Sequence, residues 1–375
     1  IDPAQEVQDL SVGQQQIVEI VRAATLGHAL IIMDEPTSSL SEREVELLFS
    51  LIERLKERGT AVIYVSHRLD EILRLADRVT VLRDGQYVGT LTRSQTSKEV
   101  IIGMMVGREI SELYPKQEAV IRQPVLEVRH LVRRGVLDDV GFSLCAGEIL
   151  GMFGLIGAGR TEVARTIFGL DRRDAGDIRL NGAAVNITTP QHAIRLGIGL
   201  VPEDRKSQGL VLPMTIRENV TLPQLRAMTQ AGLMSPARER NLTRSMVARL
   251  DIRTPSIEQQ AVNLSGGNQQ KVVIAKWLAL SPRVLIVDEP TRGIDVATKA
   301  QVHALLSELA QSGVGVLMIS SELPEILGMS DRILVMYRGK IVGEFSRAEA
   351  TPEAIMRCAT GDSLVQAGQE RVEAP

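Results

Sequence analysis

The amino-acid sequence predicts an α/β fold with a mostly parallel sheet, built as a tandem repeat of one domain. Three observations carry this prediction: apolar runs that end in carboxylates, a glycine-rich turn between an apolar run and a helical pattern, and an internal repeat. Parallel strands are covered on both faces and therefore read as near-continuous apolar runs. The 375 residues are enough for two or three domains.

The predicted strands are the apolar runs themselves. They are ALIIMDEP at 29–36, AVIYVSH at 61–67, EILGMFG at 148–154, RVLIVDEP at 283–290 and VGVLMISS at 314–321. The segment TEVARTIFGL, which follows the glycine-rich turn, predicts a helix. Between 203 and 263 the pattern becomes helical, since Leu242, Met246 and Leu250 recur every four residues. This stretch predicts a helical subdomain inserted into the sheet domain.

The internal repeat sets the predicted domain limits. Residues 10–40 align with residues 264–294 at an offset of 254, and the same offset later pairs Gly107 with Gly361. The prediction is the C-terminal part of a first domain at 1–110, a linker at 111–123, a complete second domain at 124–361 and a disordered tail at 362–375. We expect the first copy's own glycine loop to precede Ile1, so that the chain is truncated at its N-terminus.

Composition excludes several classes of function. The chain has 43 Lys+Arg against 46 Asp+Glu, a balance that gives no electrostatic reason to seek nucleic acid. Its two cysteines are too few for a disulfide framework. No uncharged stretch combines apolar character with the ~18 residues that a membrane-spanning helix needs. Any role at a membrane is therefore expected to be peripheral.

The segment GLIGAGRTE at 154–162 has the spacing of a phosphate-binding loop, although an arginine replaces the usual lysine. Its glycines allow backbone amides to surround phosphate oxygens, and the following helix offers its positive end. The hydroxyl of Thr161 is expected to bind Mg²⁺. The candidate nucleotide-binding residues are Gly154, Gly157, Ala158, Gly159, Arg160, Thr161 and Glu162. Taken alone, the same spacing also fits a tight strand–helix turn.

The carboxylates Asp288 and Glu289 end a later predicted strand. Such a pair suits the metal's ligand shell and the polarisation of an attacking water. The same DEPT sequence occurs in both copies of the repeat, which argues against an ordinary solvated strand end. We therefore expect Asp288 to bind the metal and Glu289 to act as a catalytic base.

The segment LSGGNQQ at 264–270 resembles the signature of ABC-type ATPases. Glycine loop, signature and DEPT occur in that family's order, and the resemblance extends to about Gly361. It implies P-loop NTPase domains that sandwich two ATP molecules, with Mg²⁺, head to tail. Each nucleotide would then lie between one domain's phosphate loop and the other domain's signature, whose helix offers free amides.

The resemblance implies two unlike nucleotide sites. The first would use Asp34 for the metal, Glu35 and His67 for catalysis, and Ser265, Gly266, Gly267 and Asn268 from the signature of the second domain. The second would use the loop at 154–162, Asp288 and Glu289, with Ser11, Gly13 and Gln14 from the signature of the first domain.

The second site departs from the family pattern at three positions. Arg160 replaces the phosphate-loop lysine, Ser321 stands where the first copy has His67, and Glu203 stands where a metal-contacting glutamine is usual. An arginine keeps the charge but is a wide planar fork. We therefore expect this site to hold nucleotide and hydrolyse it poorly, and the first site to carry out the hydrolysis. The 375 residues alone are expected to lack that first phosphate loop and to be inactive.

Three segments further resemble the double-domain ATPases of bacterial monosaccharide importers, of the ribose, galactose, arabinose and xylose type. They are GAGRTE, VPEDRKSQGLV and ISSELPE. The resemblance implies a homodimeric membrane permease and an extracytoplasmic sugar-binding protein as partners, and a place on the cytoplasmic face of the inner membrane. It also assigns the charged run 203–206 to a surface that faces the permease. The sugar itself would not touch the chain.

Other readings stay open from the sequence. Importers of nucleosides or of a furanosyl signal share the tandem layout and related motifs. Twin ATPases that act on ribosomes or DNA share the repeat, but they carry long basic linkers, whereas 111–123 is short and mixed in charge. The chain could also be a remnant that binds nucleotide without hydrolysing it.

Overall fold

The computed structural model describes residues 2–10, 12–37, 40, 42–66, 69–83, 86–97, 100–101, 104, 114–155, 157–230 and 233–361. The chain divides into two compact units, Ile1–Ile110 and Ser111–Pro375. They are called unit 1 and unit 2 below, and each is described by itself.

Unit 1 alternates helices and strands. Its elements are α1 (Val12–Thr25), β1 (Leu30–Asp34), α2 (Glu42–Glu57), β2 (Ala61–Val65), α3 (Leu69–Leu75), β3 (Arg78–Arg83) and β4 (Gln86–Thr92). Strands β1 and β2 pair in parallel, and β3 and β4 form an antiparallel hairpin. These two pairs are separate two-stranded sheets in the part of the unit that the structure describes.

The core of unit 1 covers one face of its parallel strands. Ile31 and Met33 pack with Leu48 and Ile52 of α2, whereas Ile32, on the opposite face, is 65% exposed. The expectation of strands covered on both faces is therefore wrong for β1 among the described residues. The sequence shows only that a face is apolar, and burial depends on what the fold places against it.

Unit 2 contains a larger sheet and an inserted region. Its elements are β5 (Pro124–Arg133), β6 (Leu137–Cys145), β7 (Ile149–Gly154), α4 (Arg160–Ile167), β8 (Ala175–Leu180), β9 (Ala183–Val185), α5 (Pro190–Arg195), β10 (Ile198–Val201), α6 (Ile216–Thr221), β11 (Thr229–Gln230), β12 (Leu233–Met234), α7 (Pro236–Arg249), α8 (Gly266–Leu278), β13 (Val284–Asp288), α9 (Val296–Gln311), β14 (Gly315–Ser320), α10 (Leu323–Met329), β15 (Arg332–Tyr337), β16 (Lys340–Ser346) and α11 (Pro352–Thr360).

The main sheet of unit 2 has the order β10-β13-β14-β7-β15-β16. All neighbours pair in parallel except β15 and β16. Strands β7, β13 and β14 are buried along their whole length, as their apolar runs predict. Because ligands of parallel sheets bind at the carboxyl ends of strands, this order places the candidate site beyond the ends of these three strands.

A second sheet and a partly helical insertion complete unit 2. The second sheet is antiparallel, in the order β6-β5-β8-β9. The region predicted as helical contains a π-helical turn at Arg205–Gly209, helices α6 and α7, and a short hairpin of β11 and β12. The hairpin was not predicted, because its two-residue strands are too short to show a period.

The tandem repeat is visible in the geometry of both units. Strands β3 and β4 slip register between Val81 and Leu82, and β15 and β16 slip between Val335 and Met336, which are 254 residues further on. Such bulges are specific features of a strand pair. Their shared position supports the alignment of the two copies residue by residue.

The segment that follows the undescribed residues 105–113 lies on unit 2. Lys116 is 3% exposed at its side chain and forms an ion pair of 2.7 Å with Asp331. The amide of Gln117 donates to Ser307 at 2.8 Å. In the described residues, no helix is both long and apolar enough to cross a membrane.

Candidate functional site

The glycine loop of unit 2 joins the buried strand β7 to helix α4. Gly159 precedes the helix with φ +100°, a backbone conformation that glycine adopts without steric cost. The loop packs against the β15–β16 turn, where the amide of Gly339 donates to the carbonyl of Ala158 at 2.8 Å. Ile156 lies outside the described residues, so the loop is described at 154–155 and from Gly157 onward.

The arginine of the loop points into the site. Arg160 is 8% exposed, and its Nη1 lies 3.2 Å from Oε1 of Glu289. This nitrogen forms no hydrogen bond with the described residues, so the contact is an ion pair of loose geometry. A buried donor without a hydrogen-bond acceptor is costly, and it would gain by meeting a phosphate oxygen.

Asp288 and Thr161 form the candidate metal site. Asp288 is 2% exposed, and the hydroxyl of Thr161 lies close enough to influence its pKa. Burial raises the pKa of Asp288, and the Thr161 hydroxyl and the Arg160 charge oppose this shift. Its buried Oδ1 has no hydrogen-bond partner among the described residues. A hard oxygen atom in this position fits Mg²⁺, which is bound through one or two protein oxygens together with phosphates and waters.

Glu289 is held in a strained backbone conformation at the end of β13. Its φ is +47°, and its amide donates to the carbonyl of Ile319 at 2.9 Å. The hydroxyl of Ser321 donates to its Oε2 at 3.2 Å. Burial raises the pKa of Glu289 to about 7, while the Arg160 charge and the Ser321 hydroxyl oppose the shift. The side chain thus has the proton affinity of a base, but its two oxygens already contact Arg160 and Ser321.

The signature segment begins helix α8. Ser265 precedes the helix, and its Oγ accepts a hydrogen bond of 2.9 Å from Nδ2 of Asn268 instead of capping the helix amides. Gly267 packs against Thr298 of α9, where an added methyl group would lie 2.7 Å from Cγ2. The first amides of α8 therefore lack a side-chain cap, which suits them to an anion.

The unit 1 candidates are only partly described. Asp34 ends β1 and is exposed, and Glu35 follows it with φ +47°. The amide of Glu35 donates to Val65 at 2.9 Å, as the amide of Glu289 does to Ile319. Gly13 and Gln14 lie in the first turn of α1. Ser11 and His67 lie outside the described residues.

Two sets of contacts near the site were not predicted from the sequence. Thr291 and His303 both contact the buried carboxylate of Glu325, at 2.8 Å and 2.6 Å. Unit 1 has the same contact at the equivalent positions of the repeat, where Thr37 donates to Glu71 at 3.0 Å. The occurrence of this threonine–glutamate pair in both copies is the sequence feature that could have predicted the contact. The second set is the guanidinium of Arg205 and the backbone carbonyls that it contacts.

Glu203, predicted to stand at a metal-contacting position, forms an ion pair with Arg292. Arg292 lies on the turn that follows Glu289. The contact links the charged run 203–206 to that turn. No group of three or more His, Cys, Asp or Glu side chains that could hold a metal occurs in the described part of the chain.

Comparison with known proteins identifies the family. A putative ribose/galactose/methyl galactoside import ATP-binding protein of Rhizobium etli is 51% identical over 359 residues, which cover 96% of this chain and 68% of that protein. A ribose import ATP-binding protein of Streptomyces avermitilis is 50% identical, over 96% of this chain and 72% of that protein. The chain belongs to the ribose-type import ATP-binding proteins. A ribose import ATP-binding protein of Bacillus subtilis is 48% identical over 357 residues.

Two further comparisons agree with this family. The family profile described as "ABC transporter" matches residues 137–292 of the chain. A solved dimeric ATP-binding cassette, in a post-hydrolysis state with ADP and phosphate, aligns with a TM-score of 0.52 at 23% identity, over 59% of this chain and 98% of that chain. A nucleotide-free cassette from an ABC transporter aligns with a TM-score of 0.53 at 21% identity. These likenesses confirm the predicted P-loop ABC ATPase fold.

Proposed function

We propose that the chain belongs to the ATPase of a bacterial ABC transporter that imports a monosaccharide, with one hydrolytic site and one degenerate site. The observation that carries the transport function is the identity of 51% and 50% to sugar-import ATP-binding proteins over 96% of the chain. ATP is the nucleotide, and its hydrolysis is the reaction that drives import.

The glycine loop is the proposed phosphate site of unit 2. Its amides from Gly157 onward, the first turn of α4 and the buried guanidinium of Arg160 would surround the phosphates. Thr161 and Asp288 would hold Mg²⁺, which supplies charge neutralisation on the phosphate oxygens. The buried Oδ1 of Asp288, which lacks a hydrogen bond among the described residues, supports this assignment. Asp34 is the corresponding metal residue of the first site.

The two nucleotide sites are proposed to have different roles, hydrolysis at the first and binding without efficient hydrolysis at the second. Hydrolysis occurs at the first site, where Glu35 is the base and His67 orients the water, and residues 265–268 bind the γ-phosphate. The second site holds ATP as a clamp between the domains, with residues 11–14 as its signature. Support comes from Glu289, whose oxygens lie 3.2 Å from Nη1 of Arg160 and 3.2 Å from the Ser321 hydroxyl, so that both neighbours compete with an attacking water for the carboxylate.

The proposed partners follow from the names of the relatives and from the resemblance. They are a homodimeric membrane permease and, through it, an extracytoplasmic sugar-binding protein. The chain would lie on the cytoplasmic face of the membrane, with the run 203–206 toward the permease. ATP closes the domains because it binds the closed arrangement better, and hydrolysis then releases them.

Steady-state ATPase measurements on the intact ATPase, assembled with its permease, test the division of labour. Glu35→Gln is expected to lower kcat by at least about 100-fold, because it removes the base. Glu289→Gln is expected to leave more than half of the activity. Glu308→Gln, on an exposed ion pair with Arg249, is the control for loss of one charge. Equal losses in the first two variants, or a larger loss in Glu289→Gln, would refute the assignment.

A further inference from the structure

We propose that Arg205 is a positioning residue that fastens the turn after Glu289 to the first turn of the signature helix α8. The turn and the helix end then move as one body. The proposal joins three segments that are distant in sequence: the charged run 203–206, the turn 289–293 and the start of α8 at Gly266. Each link is a contact of the Arg205 guanidinium or of its immediate neighbours.

The first link is a pair of hydrogen bonds to the backbone of the turn. Nη1 of Arg205 donates to the carbonyl of Arg292 at 2.9 Å, and Nη2 donates to the carbonyl of Gly293 at 3.0 Å. One planar guanidinium thus spans two successive carbonyls. A lysine has a single nitrogen on a flexible stem and cannot reproduce this geometry.

The second link connects these carbonyls to the candidate base. The amide of Arg292 donates to the carbonyl of Glu289 at 3.2 Å, which closes the turn. The guanidinium of Arg292 is ion-paired with Glu203, two residues before Arg205. The run 203–206 therefore holds the turn both through the Arg292 side chain and through the backbone.

The third link is a close approach to the signature helix. A methyl group added to Gly266 would lie 2.8 Å from Nη2 of Arg205 and 3.4 Å from the carbonyl oxygen of Gly293. Any larger residue at this signature position would displace the guanidinium. The added methyl group would be in ordinary van der Waals contact with the carbonyl oxygen of Gly293, so it would mainly displace the Arg205 guanidinium.

The segment that carries Arg205 is itself fixed. Oδ1 of Asp204 accepts hydrogen bonds from the amides of Lys206 at 2.9 Å and Ser207 at 3.2 Å, at the start of the π-helical turn. Lys276 of α8 donates to the carbonyl of Gly209 at 2.5 Å, at the end of that turn. The guanidinium is thus presented from a held backbone rather than from a free loop.

The consequence for function rests on the proposed function above. There, residues 265–268 complete the first nucleotide site and Glu289 belongs to the second. Arg205 would then carry a displacement from one site to the other within unit 2. It does so from the segment that faces the permease, so one residue would connect both nucleotides with the transport step.

Hydrogen–deuterium exchange on the 375-residue chain without nucleotide tests the fastening directly. Arg205→Gln and Arg205→Lys are each expected to speed exchange of the amides in 291–294 by about tenfold, since hydrogen bonds from a charged donor are lost. In the chain that retains Arg205, Gly266→Ala is also expected to speed hydrogen exchange of these amides, because the added methyl group displaces the guanidinium. Arg249→Gln, which removes one charge from an exposed pair, serves as the matched control and should change nothing there.

The double variant separates positioning from general loosening. If Arg205 transmits the effect, Gly266→Ala adds nothing to exchange at 291–294 in the Arg205→Gln background. The proposal is overturned if the two effects add, or if Gly266→Ala leaves the turn unchanged while Arg205 is present. Should the Arg205 variants fail to fold, the single Gly266→Ala variant still decides the matter. Because no nucleotide is present, the result does not depend on whether the chain hydrolyses ATP.

Discussion

Lys276 offers a prediction whose magnitude follows from its burial. It lies on the signature helix α8, is 8% exposed, and donates to the carbonyl of Gly209 at 2.5 Å. Its ammonium group also lies 5.1 Å from the centre of the Trp277 ring. Burial lowers the pKa of Lys276 from 10.5 to about 8, because the charged form loses its hydration.

The sign of the resulting pH dependence is fixed by linkage. Between about pH 8 and about pH 10.5 the unfolded state binds more protons at this position than the folded state. The free energy of unfolding therefore rises with pH in this window. Integrating the two titration curves from about pH 8 to about pH 9.5 gives a gain of about 1.5 kcal/mol for the chain with lysine.

The assay uses the single tryptophan of the chain. Trp277 packs edge-on against Phe168 in the core of unit 2, with ring centres 5.5 Å apart, so its fluorescence reports the unfolding of that unit. Urea titrations of the original chain and of Lys276→Met at the two pH values give four free energies. The variant also loses the hydrogen bond to Gly209, but that difference is largely the same at both pH values and cancels.

Between about pH 8 and about pH 9.5, the free energy of unfolding of the original chain is expected to rise by about 1.5 kcal/mol more than that of the methionine variant. All other titrating groups are common to both chains, so their contribution is removed in the comparison. Parallel pH profiles would refute the reasoning, because they would mean that Lys276 titrates alike in both states. The reasoning would also be refuted if the free energy of unfolding rose more with pH in the variant than in the original chain.

Two further predictions use matched variants in the same urea assay. Gly339→Ala is expected to cost about 2 kcal/mol more than Gly182→Ala. Both glycines have φ +78°, but only the methyl group at 339 would overlap a carbonyl oxygen of the β5–β6 turn, and equal costs would contradict this view. Glu325→Gln is expected to cost about 3 kcal/mol, because it leaves His303 buried without its carboxylate, and Glu308→Gln on the surface should cost less than about 0.5 kcal/mol. A mild loss at 325 would mean that the buried pair is dispensable.

The strands and the glycine loop could be predicted from the sequence because their signals are local. The run at 283–290 contains β13 at Val284–Asp288, and the run at 314–321 contains β14 at Gly315–Ser320. A buried strand needs only a few successive apolar residues, which any window along the chain reveals. The loop needs only glycines at fixed spacing followed by a helix pattern.

The contacts that define the site chemistry could not be predicted in this way. Arg160 and Glu289 are far apart in sequence and meet only because β7 and β13 lie in one sheet, with β14 between them. Arg205 and Gly293 are likewise 88 residues apart. The motif suggested a phosphate ligand for Arg160, and the fold adds a carboxylate partner. Such pairings depend on the order of strands in the sheet, and a short segment of the sequence does not reveal that order.

The two copies of the repeat differ in side chains more than in backbone. Glu35 and Glu289 share a φ of +47°, which costs about 1 kcal/mol or more in a residue that is not glycine. If the strain served only to aim a catalytic base, a copy that hydrolyses poorly would have no reason to retain it. The turn that starts at Glu289 also presents the carbonyls of Arg292 and Gly293 to Arg205. Under the proposed fastening, the strained turn has a use in presenting these two carbonyls to Arg205, whether or not Glu289 ever accepts a proton.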